Sequence, residues 1–187
     1  MLGDTMRKII AALLFAALAL PLYAQRTTRE VANPTTEHDD SKPNSPDVPD
    51  VYATTSEFQR VVILRFKHKA DLLAGLWKAV ADEKIKNAVI LSAVGSVRGY
   101  QIHSVSNRDF PSMNTYIQDP THPADLVSMN GYVLNGRVHP HLTLTDHDHA
   151  FAGHLEPGTE VFTFAIVTLG VLPDDLDLSK LDDKTYR

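Results

Sequence analysis

Nine histidines are distributed over 187 residues, and five of them fall between positions 139 and 154. From Asn135 to His154 the chain reads NGRVHPHLTLTDHDHAFAGH. In an extended strand, residues two apart share a face, so His139 and His141 point the same way. Val138, Leu142 and Leu144 then share the opposite, buried face. A hairpin turn centred between His147 and Asp148 sets His141 opposite His154. Opposed Cβ atoms lie about 4.5–5.5 Å apart and next-but-one neighbours in a strand about 6.5–7 Å apart. Three imidazoles at such separations can converge on one zinc ion, with zinc–nitrogen bonds of about 2.0–2.1 Å. Three neutral nitrogens with a fourth position open is the arrangement of a catalytic rather than a structural zinc site. Histidines at alternate positions are equally compatible with a solvated sheet face, so spacing alone leaves both readings open.

The remaining candidates carry less. His147, Asp148 and His149 fall on the turn and are read as surface. His38, His68, His103 and His122 are isolated; His103 or His122 could supply an outer contact, with nothing in the spacing to argue for it. Gly153 leaves room beside His154 for a substrate or for backbone. Pro140 lacks an N–H, which fits a strand edge or a bulge. Ser96 and Arg98 follow an apolar strand and are candidates to line a pocket, Arg98 as an anchor for an anionic substrate. The run Gly95–Gly99 is neither a phosphate-binding loop nor a dinucleotide fingerprint. No GxSxG or HExxH motif occurs, and the absence of cysteine excludes thiolate sites and disulfides.

The elements that must position these residues follow from pattern. Phe58–Phe66 is β-branched and apolar, a strand by composition. Asp71 can cap a helix whose stripe is Leu72, Leu76 and Val80, with Leu73 and Trp77 beside it as core packing. Ala88–Val94 is a second strand, Gly95–Gly99 breaks or bulges it, and Tyr100–Val105 continues or returns. Residues 106–124, with Pro111, Pro120 and Pro123, read as a long loop. Leu126–Val133 and Val138–Thr145 pair through Asn135-Gly136, the strongest hairpin signal in the chain. Phe151–Leu155 returns from the histidine turn, and Glu160–Val171 is a long apolar strand. The sum is α+β: a curved, mostly antiparallel sheet of six to seven strands with one main helix.

Around this core, spanning 58–173, the chain carries three other segments. Arg7 and Lys8 precede the uncharged run Ile9–Leu20, followed by Pro21 and a small residue at Ala24. That order predicts a signal peptide over 1–24, with Met1 or Met6 as its start, and so a periplasmic or extracellular protein. Twelve apolar residues fall short of the roughly 20 that span a bilayer, so no stable membrane insertion is expected. Residues 25–57 are rich in Pro, Thr, Ser, Asp and Asn and read as a flexible polar linker. Residues 174–187 hold five aspartates and read as an acidic surface arm. The chain has 18 Lys and Arg against 23 Asp and Glu, a formal net charge of −5. Nucleic-acid binding is not expected of such a chain, because phosphate contacts need basic residues in excess. A core of this size is small enough that oligomerisation would help to stabilise it.

The run GRVHPHLTLTDHDHAFAGHLEPGTEVFTF resembles the signature of the plant-and-prokaryote-conserved (PPC) domain, a domain of unknown function in bacteria. Its pattern is Gly-x-x-His-x-His, a turn, Gly-His-Leu, x-x-Gly and a final strand. Upstream, a strand with Arg65, a helix opened by Asp71-Leu72 and an apolar strand ending Val94-Gly95-Ser96 match as well, so the resemblance covers about 60–173. It implies a compact domain with a curved antiparallel sheet, assembled as a homotrimer, with metal held by His139, His141 and His154. The family is structurally similar to acetolactate decarboxylase, a three-histidine zinc enzyme, which implies lyase chemistry on a small oxo acid. Plant members carry an AT-hook for DNA; this chain has no Arg-Gly-Arg-Pro core of one. It also departs at Ala152-Gly153, where two glycines are usual, and after Thr163, where Phe164-Ala165-Ile166 replaces a run with a glutamate. Two functions therefore stand side by side: a zinc site binding or transforming a small anionic metabolite, and a non-catalytic binding or assembly module.

Overall fold

Residues 25–32 and 44–187 are described in the computed structural model; the segment expected to be a signal peptide lies outside the described residues. The apolar, β-branched runs form strands, and the described elements are β1 (Thr27–Ala32), β2 (Arg60–Lys67), α1 (Leu72–Asp82), β3 (Asn87–Val105), β4 (Met113–Asp119), β5 (Ala124–Leu134), β6 (Arg137–Thr145), β7 (Ala150–Leu155) and β8 (Glu160–Leu172). Among the described residues, eight antiparallel strands and one helix make the fold α+β, as the sequence predicts, with β1 and β4 as strands that the pattern did not reveal.

β3 organises the sheet. One of its edges pairs with β5 and then β4, and the other with β8 and then β7. Because β5, β6 and β7 pair in succession, the β3–β7 contact closes β3, β5, β6 and β7 into a small barrel. β2 flanks β8 and β1 flanks β4, forming the two outer edges. The Gly95–Gly99 segment neither ends the strand nor reverses it. It bulges, with register shifts against β8 at Gly95/Val97 and Val97/Gly99, so β3 runs on for 19 residues. Such bulges sharpen the local twist and let one strand curl through both halves of the sheet.

The core lies within this curl and under α1. Leu72, Leu73, Leu76 and Val80 of the helix join Val97, Leu126, Met129, Leu142, Leu144, Leu155 and Leu169 in one buried cluster. Asp71 caps the helix as predicted, its carboxylate accepting from the Ala74 amide at 2.8 Å. Its second oxygen accepts from the Gly158 amide at 2.6 Å, tying the helix start to the β7–β8 turn. Trp77 is a correction: it is 47% exposed rather than core. It stands roughly a quarter-turn from the centre of the buried stripe, at the margin where a large ring reaches solvent.

Two further expectations change. Within the proposed loop 106–124, Met113–Asp119 is a strand paired to β3, and within the proposed linker 25–57, Thr27–Ala32 is a strand paired to β4. Both pairings join residues far apart in sequence, which no local pattern reports. The acidic arm packs back on the domain. Leu178 is buried with Leu134 and Leu172, and the Asn87 amide donates to the carbonyls of Pro173 and Leu176, both at 3.2 Å.

Candidate metal centre

β6 and β7 pair in the predicted register: Thr145 faces Ala150, and His141 faces His154. The turn between them is fixed by Asp146, whose carboxylate accepts from the amides of Asp148 and His149 at 2.8 and 2.7 Å. Those amides, with His122 at 2.8 Å, hold the Asp146 carboxyl well below the usual carboxylate range. His147 and His149 are exposed on this turn, as read from the sequence. Val138, Leu142 and Leu144 are buried, which leaves His139 and His141 on the outer face.

Two glycines allow the strands to approach at the site. Gly131 on β5 faces Pro140 and has φ of +135°; a Cβ there would lie 2.0 Å from the His139 carbonyl oxygen. A Cβ on Gly153 would lie 2.7 Å from the His103 carbonyl oxygen, so the space left by this residue is taken by β3 backbone. Pro140 lies just outside the paired stretch of β6 and β7, where its missing N–H interrupts no ladder bond to β7.

The rings of the three predicted ligands, His139, His141 and His154, adjoin, but they are not a group whose ligand atoms all lie within 4.8 Å of one another. The rings of His139 and His141 stack at 5.3 Å, and their Nε2 atoms are 3.3 Å apart. The ring of His154 stands edge-on to both, at 4.9 and 5.2 Å between centroids. Two nitrogens bonded tetrahedrally to one zinc at about 2.0–2.1 Å would themselves be about 3.3–3.4 Å apart, the spacing found for the His139–His141 pair.

Among the described residues the group that meets this spacing is His103, His154 and Glu156, and sequence spacing alone does not find His103 and Glu156 as ligands. His103 is the β3 residue opposite His154; the two rings stack at 4.5 Å. Glu156 accepts from His103 Nδ1 at 2.6 Å and lies 3.6 Å from His154 Nδ1. One ligand atom from each of His103, His154 and Glu156 lies within 4.8 Å of the others, so this trio could hold a metal ion. Glu156 follows His154 by two, the period that puts both on one face, and this was a usable signal. His103 had none, because the β3–β7 pairing spans some fifty residues. Buried Thr159 holds the turn beyond Glu156, its hydroxyl donating to backbone oxygen and accepting from the Gln101 amide at 3.0 Å.

The electrostatics suit a cation. Burial, and then the neighbouring His103, His139 and His141, lowers the pKa of His154 to about 4. Burial, then His139 and His103, also lowers that of His141. Both shifts favour the neutral imidazole, the form that offers a nitrogen lone pair to a metal ion. His154 Nδ1 is buried with no hydrogen-bond partner, an orphaned nitrogen of the kind a metal ion satisfies. A cavity of about 440 Å³ opens beside His139 and His141, walled by Val89, Tyr132, Leu134 and Leu181.

Ser96 and Arg98 are placed elsewhere. Ser96 shares a 2.6 Å hydrogen bond with the Thr163 hydroxyl, and Arg98 pairs with Glu160 at 3.2 Å. Ser96 stands seven and Arg98 five residues along β3 from His103, about 16–23 Å at the rise of a strand.

The Plants and Prokaryotes Conserved (PCC) domain model matches residues 53–173. Among solved structures, a hypothetical protein from Salmonella enterica has a TM-score of 0.55 at 23% identity, over 65% of this chain and 83% of its own. A metal-containing protein from Archaeoglobus fulgidus gives 0.54 at 22%, over 65% and 86%. A plant- and prokaryote-conserved protein from Pyrococcus horikoshii gives 0.54 at 21%, over 66% and 85%. No curated protein matches the chain significantly.

Proposed function

The chain belongs to the Plants and Prokaryotes Conserved domain family, and from that premise we propose that it is an exported metalloprotein whose histidine site binds or transforms a small anionic metabolite. The observation that carries this reading is the group of His103, His154 and Glu156 within reach of one ion, with His139 and His141 beside it, their Nε2 atoms 3.3 Å apart. Zinc is the proposed ion, with His139, His141 and His154 as its proposed ligands. Bound there, it would supply Lewis-acid polarisation of a carbonyl or a water of lowered pKa. The ion's own charge would attract an anionic ligand, since Arg98 is engaged by Glu160. The relative described as metal-containing supports a metal here without specifying which.

The chain's own residues divide the remaining work. The apolar walls of the cavity fit a ligand with a short hydrocarbon body. Glu156 brings a carboxylate to the cluster, 3.6 Å from His154, where it can hold or pass a proton. The last strand lacks a glutamate after Thr163, and Glu156 supplies that type of group from the end of β7.

Export is supported by the order of residues in 1–24, and no described helix is long and apolar enough to cross a membrane. A homotrimer is supported by family resemblance and by apolar side chains left exposed on one face of β2, β3 and β8: Val61, Ile63, Val94, Phe162 and Phe164. DNA binding gains no support from a net charge of −5 or from a chain without an AT-hook core.

A second reading, a non-catalytic module with a structural metal, is favoured by the pairing of His103 with Glu156, which saturates part of the cluster within the protein. His139→Ala separates the two. Loss of metal with fold and assembly intact supports a functional site; loss of the fold supports a structural one.

A further inference from the structure

Resting on the metal-site reading above, we propose that the C-terminal arm is a working part of that site, with Asp182 as a positioning residue for His139 and Leu181 as a wall that selects the ligand. The arm lies beyond the stretch that the family model matches, which ends at residue 173. Three contacts seat it. Leu178 is buried against Leu134 and Leu172, the Lys86 ammonium donates to the Asp174 carbonyl at 2.5 Å, and Asn87 donates to the Pro173 and Leu176 carbonyls.

Seated in this way, the arm delivers Asp182 to the rim of the cavity. Its Oδ2 accepts from Arg137 at 2.6 Å and lies 3.4 Å from His139 Nδ1. A carboxylate accepts and cannot donate, so His139 must carry its proton on Nδ1 to satisfy this contact. That tautomer leaves a lone pair on Nε2, the nitrogen that faces His141. Carboxylates that hold the second nitrogen of a ligating histidine fix its ring and raise its basicity. Arg137 keeps the carboxylate in place and offsets its charge. Leu181 lines the cavity together with Val89 and Tyr132, so it bears on the body of a ligand rather than its metal-binding end.

The test is a cobalt(II) titration of the full-length chain, followed by d–d absorption and compared across variants. Asp182→Ala is expected to weaken cobalt binding about 10- to 100-fold and to shift the absorption envelope, while the far-UV spectrum stays unchanged. Asp182→Asn, which keeps an acceptor oxygen, should recover most of the loss. Arg137→Ala should reproduce the defect in part, and Lys184→Ala on the same arm should have no effect. Wild-type affinity and spectrum in both Asp182→Ala and Arg137→Ala would overturn the inference while leaving the metal site standing. Failure of the wild-type chain to bind cobalt would overturn both.

Discussion

His154 gathers the site's physical tensions. It touches His103, His139 and His141, lies 3.6 Å from Glu156, and has a buried nitrogen without a hydrogen bond. Burial holds its pKa at about 4, below the ordinary value near 6.5, and lowers that of His141 too. A histidine depressed in the folded state binds its proton more readily in the unfolded chain. Its contribution to stability is therefore complete above about pH 6.5 and is lost as pH falls toward about 4. The Tm of metal-free protein should drop across that window, and drop less in His154→Gln. Equal slopes for the two proteins would show that a neutral, buried His154 is not the source. At this scale the sequence was informative for His139, His141 and His154, because strand period and turn position act locally. It was silent on Asp182, which a folded-back arm brings to His139 across more than forty residues.

At the scale of elements, the site is a product of strand approach. β5 reaches β6 only because Gly131 has no Cβ to meet the His139 carbonyl, and β7 reaches β3 only because Gly153 has none to meet that of His103. Gly131→Ala adds both a clash at 2.0 Å and the strain of φ +135°, and should cost about 2–4 kcal/mol. Denaturant unfolding measures this. An effect below about 0.5 kcal/mol, the size of an ordinary surface substitution, would show that the β5–β6 spacing is not constrained there. Gly153→Ala should instead loosen the His103–His154 pair. The β6–β7 hairpin was legible to the residue, because Asp146-His147-Asp148-His149 marks its own centre. β1 and β4 were not, since their pairing partners are distant and their flanks are rich in proline or polar residues. Trp77 misled because its spacing fits the helical stripe while its angle places it at the edge.

For the whole molecule, one long bulged strand serves two half-sheets and closes a barrel that puts histidines from β3, β6 and β7 on one face. A second face, across β2, β3 and β8, is left apolar and exposed. If that face joins the proposed trimer, Ile63→Lys should reduce the assembly to monomers in analytical ultracentrifugation, with metal content retained or lowered according to how far neighbouring subunits shield the site. An unchanged sedimentation coefficient would place the interface elsewhere. The chemistry of the site rests on a bound metal. The most direct test is elemental analysis of the protein purified without a histidine tag and without added metal. About one zinc per chain, abolished by His154→Ala, is the predicted result. No bound metal, even after zinc is offered, would contradict the account and reduce the cluster to histidines on the face of a sheet.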